Sequence, residues 1–324
     1  MRGCVERVIR PESLEYTRVA RSGRWLGVIA DPYPSAVRTH PANGRPCACV
    51  TDLHSHTTAS DGDLAPADLV AHAADAGVAT LAVTDHDTVT GLPEAIAAGA
   101  RHGVRVIPGV ELTAQVPRGS MHLLGYFTEP APANLVDALE ELTAFRETRI
   151  RAIVERMAAL GVPLDWQDVR SRAAGQLGRP HVAAALVAAG HADSITDAFD
   201  RWLADDRPAH VPSRGLDPVA AVRLVGDAGG AAVLAHPGSL ALSPRHLTSF
   251  VQRLAAAGLA GIEVHRPEHT PEQRDVYQTI ARRLHLVPCG GSDFHRPDGP
   301  FALGDTGMPG LAGDVLDRLL QRIR

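Results

Sequence analysis

Asp52-Leu53-His54-Ser55-His56-Thr57-Thr58-Ala59-Ser60-Asp61-Gly62 follows directly on an apolar run, Ala48, Cys49 and Val50. The run reads as a strand. In extended backbone, residues i and i+2 point to one face, so His54 and His56 can grip one ion together. Asp61 and Gly62 follow in the turn beyond, where a carboxylate can reach back toward the same place. Two ordinary surface histidines are the alternative, and later strands decide between the two. If they also end in ligand-type residues, the fold is one that gathers strand ends at a common site.

The alternation of strand and helix that begins at Val50 supplies those ends. Pro66 opens a helix over residues 67–76, stopped by Gly77, as proline at a helix start should. Residues 80–84 form the second strand, ending at Asp85-His86-Asp87. An alanine-rich helix stops at Gly103, and residues 104–110 form the third strand, ending at Glu111. Residues 121–127 form the fourth, which carries His122 at its start rather than its end. The rhythm then breaks: from Pro132 to about Arg207, Leu139, Leu142, Ile150, Ile153, Met157 and Leu160 recur at helical steps. Residues 183–189 and 195–203 read as shorter helices. Strand five, residues 231–235, ends at His236-Pro237-Gly238. Strand six is residues 261–264. Strand seven, residues 285–289, runs into Gly290-Gly291-Ser292-Asp293-Phe294-His295, and a helix over 315–323 closes the chain.

Seven such units predict an α/β fold, a distorted (β/α)7 barrel of the TIM type, whose catalytic groups collect at the carboxyl ends of strands. Residues 50–130 and 208–324 are expected to build the barrel, and residues 131–207 an inserted helical subdomain. Residues 1–49, rich in arginine and proline, are an extension with no assigned role.

Composition narrows the function. The net charge of −5 argues against a broad basic surface, and hence against duplex DNA as a partner. All 32 basic residues are arginine, so any phosphate-binding cation is Arg or His, and no lysine nucleophile exists. Cys4, Cys47, Cys49 and Cys289 are too few and too badly spaced for a disulfide framework. Cys289 lies inside a strand and reads as a packing residue. No stretch reaches membrane-spanning length and no signal-peptide core is evident, so no membrane partner and a cytoplasmic location are expected.

The candidate ligands are His54, His56, Asp61, His86, Glu111, His122, His236, Asp293 and His295. Imidazole and carboxylate without thiolate suit Mn, Zn or Fe. Nine ligands exceed what one ion can use. Two or three ions sharing a bridging carboxylate is the natural arithmetic, and Glu111 is the lone glutamate placed to bridge.

These motifs, D-L-H-S-H-T-T-A-S-D-G, V-T-D-H-D-T, P-G-V-E-L, H-L-L-G-Y, A-H-P-G and G-S-D-F-H, resemble the polymerase-and-histidinol-phosphatase (PHP) superfamily over about residues 50–310. Within it they are most similar to the ribonuclease AM-like group, which acts on nucleoside 3′,5′-bisphosphates and short RNA ends. The resemblance implies His54, His56, Glu111 and Asp293 at a first ion, and Glu111, His122 and His236 at a second. It places Asp61, His86 and His295 at a third. Asp61 discriminates, because some PHP enzymes place a histidine there and the bisphosphate-type group an aspartate.

The expected cofactors are two to three divalent ions, Mn2+ foremost, with Zn2+ or Fe2+ as alternatives. Glu111, Asp293 and His236 are expected to carry the catalytic centre. A hydroxide generated between two ions would attack phosphorus. The implied reaction takes a nucleoside 3′,5′-bisphosphate to the monophosphate and trims short oligoribonucleotides 5′ to 3′. A histidinol-phosphate-type monoesterase and a non-catalytic PHP module are the competing readings, and the complete ligand set disfavours the latter. Asp52, Asp85 and Asp87 either orient imidazoles or cap strand-end turns. The segments Gly178-Arg179-Pro180-His181 and Arg207-Pro208-Ala209-His210-Val211-Pro212 also resemble the family, and make Arg179, His181 and Arg207 the candidate phosphate contacts. Arg146 and Arg149, one turn apart, read as a solvent-facing stripe. His265 and His269 are left unassigned beside the pocket.

Overall fold

The computed structural model describes residues 50–129, 133–212, 215–306 and 314–322. The extension, with Cys4, Cys47 and Cys49, lies outside the described residues. Seven strands form one sheet in chain order: β1 (Val50–Asp52), β2 (Val78–Val83), β3 (Arg105–Ala114), β4 (Met121–Tyr126), β5 (Ala231–Leu234), β6 (Gly261–His265) and β7 (Val287–Gly290). All but the first are buried along nearly their whole length. Their near-continuous runs of Val, Leu, Ile and Ala are what a sheet covered on both faces requires.

The expectation of uniform strand–helix units is corrected at one place. The pairings β3–β4 and β4–β5 are antiparallel, and the rest are parallel. Only six residues separate Ala114 from Met121, and a parallel crossover needs a dozen or more. β3 also runs past Glu111 to Ala114, because beyond Val110 it pairs with β4. The reversal explains His122: the start of an antiparallel strand lies at the same end of the sheet as the carboxyl ends of its parallel neighbours.

Between β1 and β7 no ladder forms among the described residues. An isolated parallel bridge joins Ser55 to Phe294, and Asp52 clasps the seam by accepting hydrogen bonds from Ser292 N (2.9 Å), Ser292 Oγ (2.6 Å) and Gly304 N (2.8 Å). The arrangement is the expected α/β class, with the two edges drawn together at the end that carries the histidines.

Helices cover the sheet. α1 (Pro66–Asp75) and α2 (Leu92–His102) pack against β2 and β3 through Leu69, Val70, Ala95 and Ala98. Each is stopped where the sequence predicts, by Gly77 and Gly103 in left-handed backbone. α3 (Ala133–Ala159) joins two cores. Leu135, Leu139 and Leu142 pack into the main one, while Ile150, Ile153 and Met157 found a second. That second core is completed by α4 (Trp166–Ser171), α5 (Arg179–Ala188), α6 (Ile195–Ala198) and the wide turn Phe199–Leu203. α7 (Pro218–Asp227), α8 (Pro244–Ala256), α9 (Pro271–Leu284) and α10 (Asp314–Leu320) return to the sheet. Among the described residues, no helix is long and apolar enough to cross a membrane.

Candidate metal centre

Five of the nine candidate ligands meet on a sixth, the carboxylate of Glu111. Glu111 is 1% exposed, and five imidazoles surround it. Its Oε2 lies 3.3 Å from His54 Nε2, 3.2 Å from His56 Nε2 and 3.1 Å from His86 Nδ1. Its Oε1 lies 3.0 Å from His122 Nδ1 and 2.9 Å from His236 Nε2. Asp293 Oδ1 faces the first pair, 3.2 Å from His54 Nε2 and 3.0 Å from His56 Nε2. Asp61 stands on the far side, 3.4 Å from His295 Nε2 and 3.9 Å from His86 Nε2.

Three sets have donor atoms within 4.8 Å of one another: His54, His56, Glu111 and Asp293; His86, Glu111 and His122; and His56, Asp61, His86 and His295. His236 completes no such set but shares Glu111 Oε1 with His122.

Local structure brings these side chains together. Beyond β1 the chain turns tightly: Asp85 accepts from Thr57 N and Thr57 Oγ1, both 2.7 Å, and from Ser60 Oγ, 2.6 Å. The turn carries Asp61 back over the histidines. A Cβ on Gly62 would lie 2.5 Å from the His56 carbonyl oxygen, so only glycine closes it. Asp87, His236 and Asp293 adopt positive φ, at 50°, 24° and 54°. Strained backbone of this kind persists where surrounding bonds over-determine it. At Asp87 those bonds come from Thr113 N and Thr113 Oγ1, both 2.7 Å, and from Arg146 Nη2 at 2.6 Å.

Three residues that hold the centre in place are absent from the sequence-derived set. Glu263 in β6 accepts from His54 Nδ1 at 3.0 Å and from His236 N at 2.6 Å. It thereby fixes His54 with Nε2 turned to Glu111 and Asp293, as carboxylate partners of metal-binding histidines do. The available signal is a lone carboxylate inside an apolar strand. Arg266, 2% exposed, donates to Asp293 Oδ2 at 3.0 Å, leaving Oδ1 for the histidines.

Arg146 is the third, and it corrects the reading of a solvent-facing stripe: its side chain is 16% exposed and forks onto Asp87. Arg149 is half-buried and donates to Val211 O. Asp52 and Asp85 bond backbone and hydroxyl groups, and Asp87 bonds these and Arg146. Among the described residues none of the three bonds an imidazole, so of their two readings the capping one describes them. His269 is buried, its Nδ1 donating to Val264 O, and Cys289 is buried in β7.

Charge is divided sharply. Burial opposes ionisation of Glu111, Asp293 and Asp61, yet the histidines around each hold their pKa values well below the usual carboxylate range, with Arg266 adding at Asp293. Glu263 sits at about 2, burial being outweighed by His54 and Arg266. Burial is likewise outweighed at His56, whose pKa rises to about 10 beside Asp293 and Glu111, and at His54, which rises well above its usual value. Burial wins at His86, which falls to about 3 with Arg146 and His122 adding to it.

A divalent ion fits these residues. His54 Nε2, His86 Nδ1, His122 Nδ1 and Glu111 Oε2 are all buried and make no hydrogen bond, although they point at one another. Buried polar atoms left this way call for an ion.

The 5'-3' exoribonuclease Rnm of Salmonella typhimurium is 37% identical over 253 residues, covering 77% of this chain and 86% of its own. The chain belongs to the PHP family. The PHP domain profile matches residues 52–163, which include six of the nine candidate ligands, those from His54 to His122. The 3',5'-nucleoside bisphosphate phosphatase of Chromobacterium violaceum is 32% identical over 280 residues, covering 84% of this chain and 97% of its own. A crystal structure of an amidohydrolase from Chromobacterium violaceum with bound sulfate superposes with a TM-score of 0.76 at 31% identity, over 85% of this chain and 97% of that one.

A cavity of about 680 Å3 opens over the PHP centre, walled by His86, His122, His236, Arg266 and His295, with Arg179 and Phe199 from the helical segment above. Arg179 Nη1 donates to Leu203 O and pairs with Asp205 at 3.3 Å. His181 accepts from Gly178 N through Nδ1, capping α5, and lines a separate cavity beside Asp61. Arg207 is exposed on the rim of a third cavity.

Proposed function

We propose that this PHP protein hydrolyses a phosphate ester of a small nucleotide. The reaction converts a nucleoside 3′,5′-bisphosphate to the monophosphate and trims short oligoribonucleotides from the 5′ end. It uses two to three divalent ions, Mn2+ first and Zn2+ or Fe2+ as alternatives. The observation that carries the reading is the five imidazoles packed around Glu111. When bound, the ions supply an activated water and neutralise charge developing on the phosphate.

The chain's own residues do the positioning. Glu111 offers one oxygen to each side, so it would serve as the shared ligand of the bound ions. Glu263 holds the His54 tautomer, and Arg266 turns Asp293 so that one oxygen faces His54 and His56. Asp293 and His236, both in strained backbone, stand at opposite ends of Glu111 and complete the catalytic set. Arg179, His181 and Arg207 are read as phosphate contacts, the first forking onto phosphate from the cavity roof. Residues 131–207 are read as the substrate-contacting insertion.

A panel of adenosine 3′,5′-bisphosphate, AMP, histidinol phosphate and a 5′-phosphorylated short RNA tests this, with metal content measured on the same preparation. Turnover of the bisphosphate and the RNA, with two to three metal equivalents, is expected. Preference for histidinol phosphate overturns the substrate assignment. Neglect of every ester by metal-loaded protein points to a binding module.

A further inference from the structure

Beside the metal centre lies a cavity of about 610 Å3, with His122 on its inner wall and Arg179 shared with the cavity over the centre. Arg118, Arg149, Arg156, Arg179 and Arg207 line it, with His210, against two carboxylates, Asp205 and Asp206. One of those two is already committed, since Asp205 pairs with Arg179 at 3.3 Å and lies 3.4 Å from His210 Nδ1. Positive charge is therefore in excess. Burial together with Arg179 and Arg146 lowers the Arg149 pKa to about 9, the signature of cations crowded without enough counter-charge.

The guanidinium groups also have donors to spare. Arg149 Nε and Arg156 Nε each bond a backbone carbonyl, of Val211 and Pro208, and the remaining N–H groups of each are free for a ligand. Among the described residues, no hydrogen bond or ion pair engages the side chains of Arg118 and Arg207. The backbone just after Arg118 is nonetheless held in place. Gly119, next to it, takes φ +72° in the β3–β4 turn, Ser120 N donates to Ser239 O at 3.0 Å, and Ser239 Oγ donates back to Ser120 O at 2.9 Å. Ser239 in turn meets His236 Nδ1 at 3.0 Å. The rim arginine is thus tied to the turn that carries a candidate ligand.

We propose that this cavity binds the next phosphodiester groups of a single-stranded oligoribonucleotide whose 5′ end lies at the metal centre. The exposed Arg118, Arg156 and Arg207 form the outer contact and the half-buried Arg149 and Arg179 the inner one. The polarity rests on the phosphoesterase reading; the binding itself does not. The volume is that of a nucleotide-sized site. Among the described residues no Phe, Tyr or Trp lines it, so recognition runs through phosphate charge and carries no base preference.

The test is the double variant Arg118→Gln/Arg156→Gln, both positions being exposed, with its melting temperature compared with wild type. KM for a 5′-phosphorylated trinucleotide should rise about tenfold, and its log–log salt slope should fall by roughly 1.4, two single-strand phosphate contacts' worth. Adenosine 3′,5′-bisphosphate should keep its KM, and kcat should hold for both substrates. Equal KM increases for the two substrates, or an unchanged trinucleotide KM, overturn the subsite. Anisotropy of a labelled trinucleotide separates the two proposals. A wild type that binds it tighter than the variant does, yet hydrolyses neither substrate, refutes the phosphoesterase reading and keeps the subsite. Trinucleotides of A, U and C should bind within about threefold of one another, and a strong base preference refutes charge-only recognition.

Discussion

The metal centre and the arginine-lined cavity share two wall residues, His122 and Arg179, yet they are built in opposite ways. In the centre, His54, His56, Glu111 and Asp61 are buried, and several ligands are braced by a further buried group. The turns and strands that carry them are strained or clamped. In the cavity, Arg118, Arg156 and Arg207 are exposed, with at most one brace apiece. A site that must hold several like charges in register needs interlocking partners, whereas one that follows a flexible polyanion needs charge and reach. On the two proposals made above, chemistry is lodged in the first region and choice of substrate in the second.

Breaking the shared carboxylate should have the largest effect. Glu111→Gln removes one ligand charge from both sides of the centre, so turnover should fall by more than about a thousandfold with loss of more than one metal equivalent by elemental analysis. Near-normal activity would refute the shared role. Glu263→Gln keeps the shape but weakens the hold on His54 and His236. Metal affinity should drop about 10- to 100-fold, the usual cost of losing a carboxylate behind a ligand histidine, read by competition with a chelating dye. An unchanged affinity would make Glu263 a packing residue only.

Acidity offers a third way to separate the regions. The His56 pKa, raised to about 10, means that the metal-free fold holds a proton there. Stabilisation from that proton is complete below the unfolded value near 6.5 and is lost as pH rises toward 10. A bound ion must displace the same proton, so metal affinity rises with pH. The gap in melting temperature between metal-loaded and metal-stripped protein should therefore widen from pH 6 to pH 9. A gap independent of pH would show that no imidazole proton is exchanged.

Arg146→Ala strands the buried Asp87 carboxylate, which keeps only its Thr113 bonds. The expected loss is about 3 kcal/mol in urea unfolding, the low end for breaking a buried pair. A loss under about 1 kcal/mol would place Arg146 among surface pairs after all. The smallest effect belongs to Arg172→Ala at the C-terminal cap of α4, whose i,i+4 partner Asp168 is half exposed. Stability should change by less than about 0.5 kcal/mol, and a larger change would contradict the ranking.

Legibility differs between the two regions for the same reason. His-x-His, Glu111, and Asp293 with His295 are short-range patterns at strand ends, and a strand's two-residue period reveals which side chains share a face. Arg146 shows the limit. On a long helix its helical neighbours give no hint that Asp87, 59 positions earlier, waits beneath it. Glu263 is half legible: a carboxylate inside an apolar strand signals a buried partner, but the partner, His54, lies 209 residues away. The direction of β4 was written in the short link before it, since six residues cannot make a crossover.

Donor types, their order and the strands that present them are legible along the chain, because local period and turn chemistry are properties of adjacent residues. Only the tertiary structure decided which atoms meet. Glu111 sits among five imidazoles because parallel and antiparallel strands bring their ends to one edge. The choice of which oxygen faces which nitrogen is made by Glu263 and Arg266 from distant segments. Burial and the neighbouring charges, which together set the protonation there, exist only once these distant segments have come together.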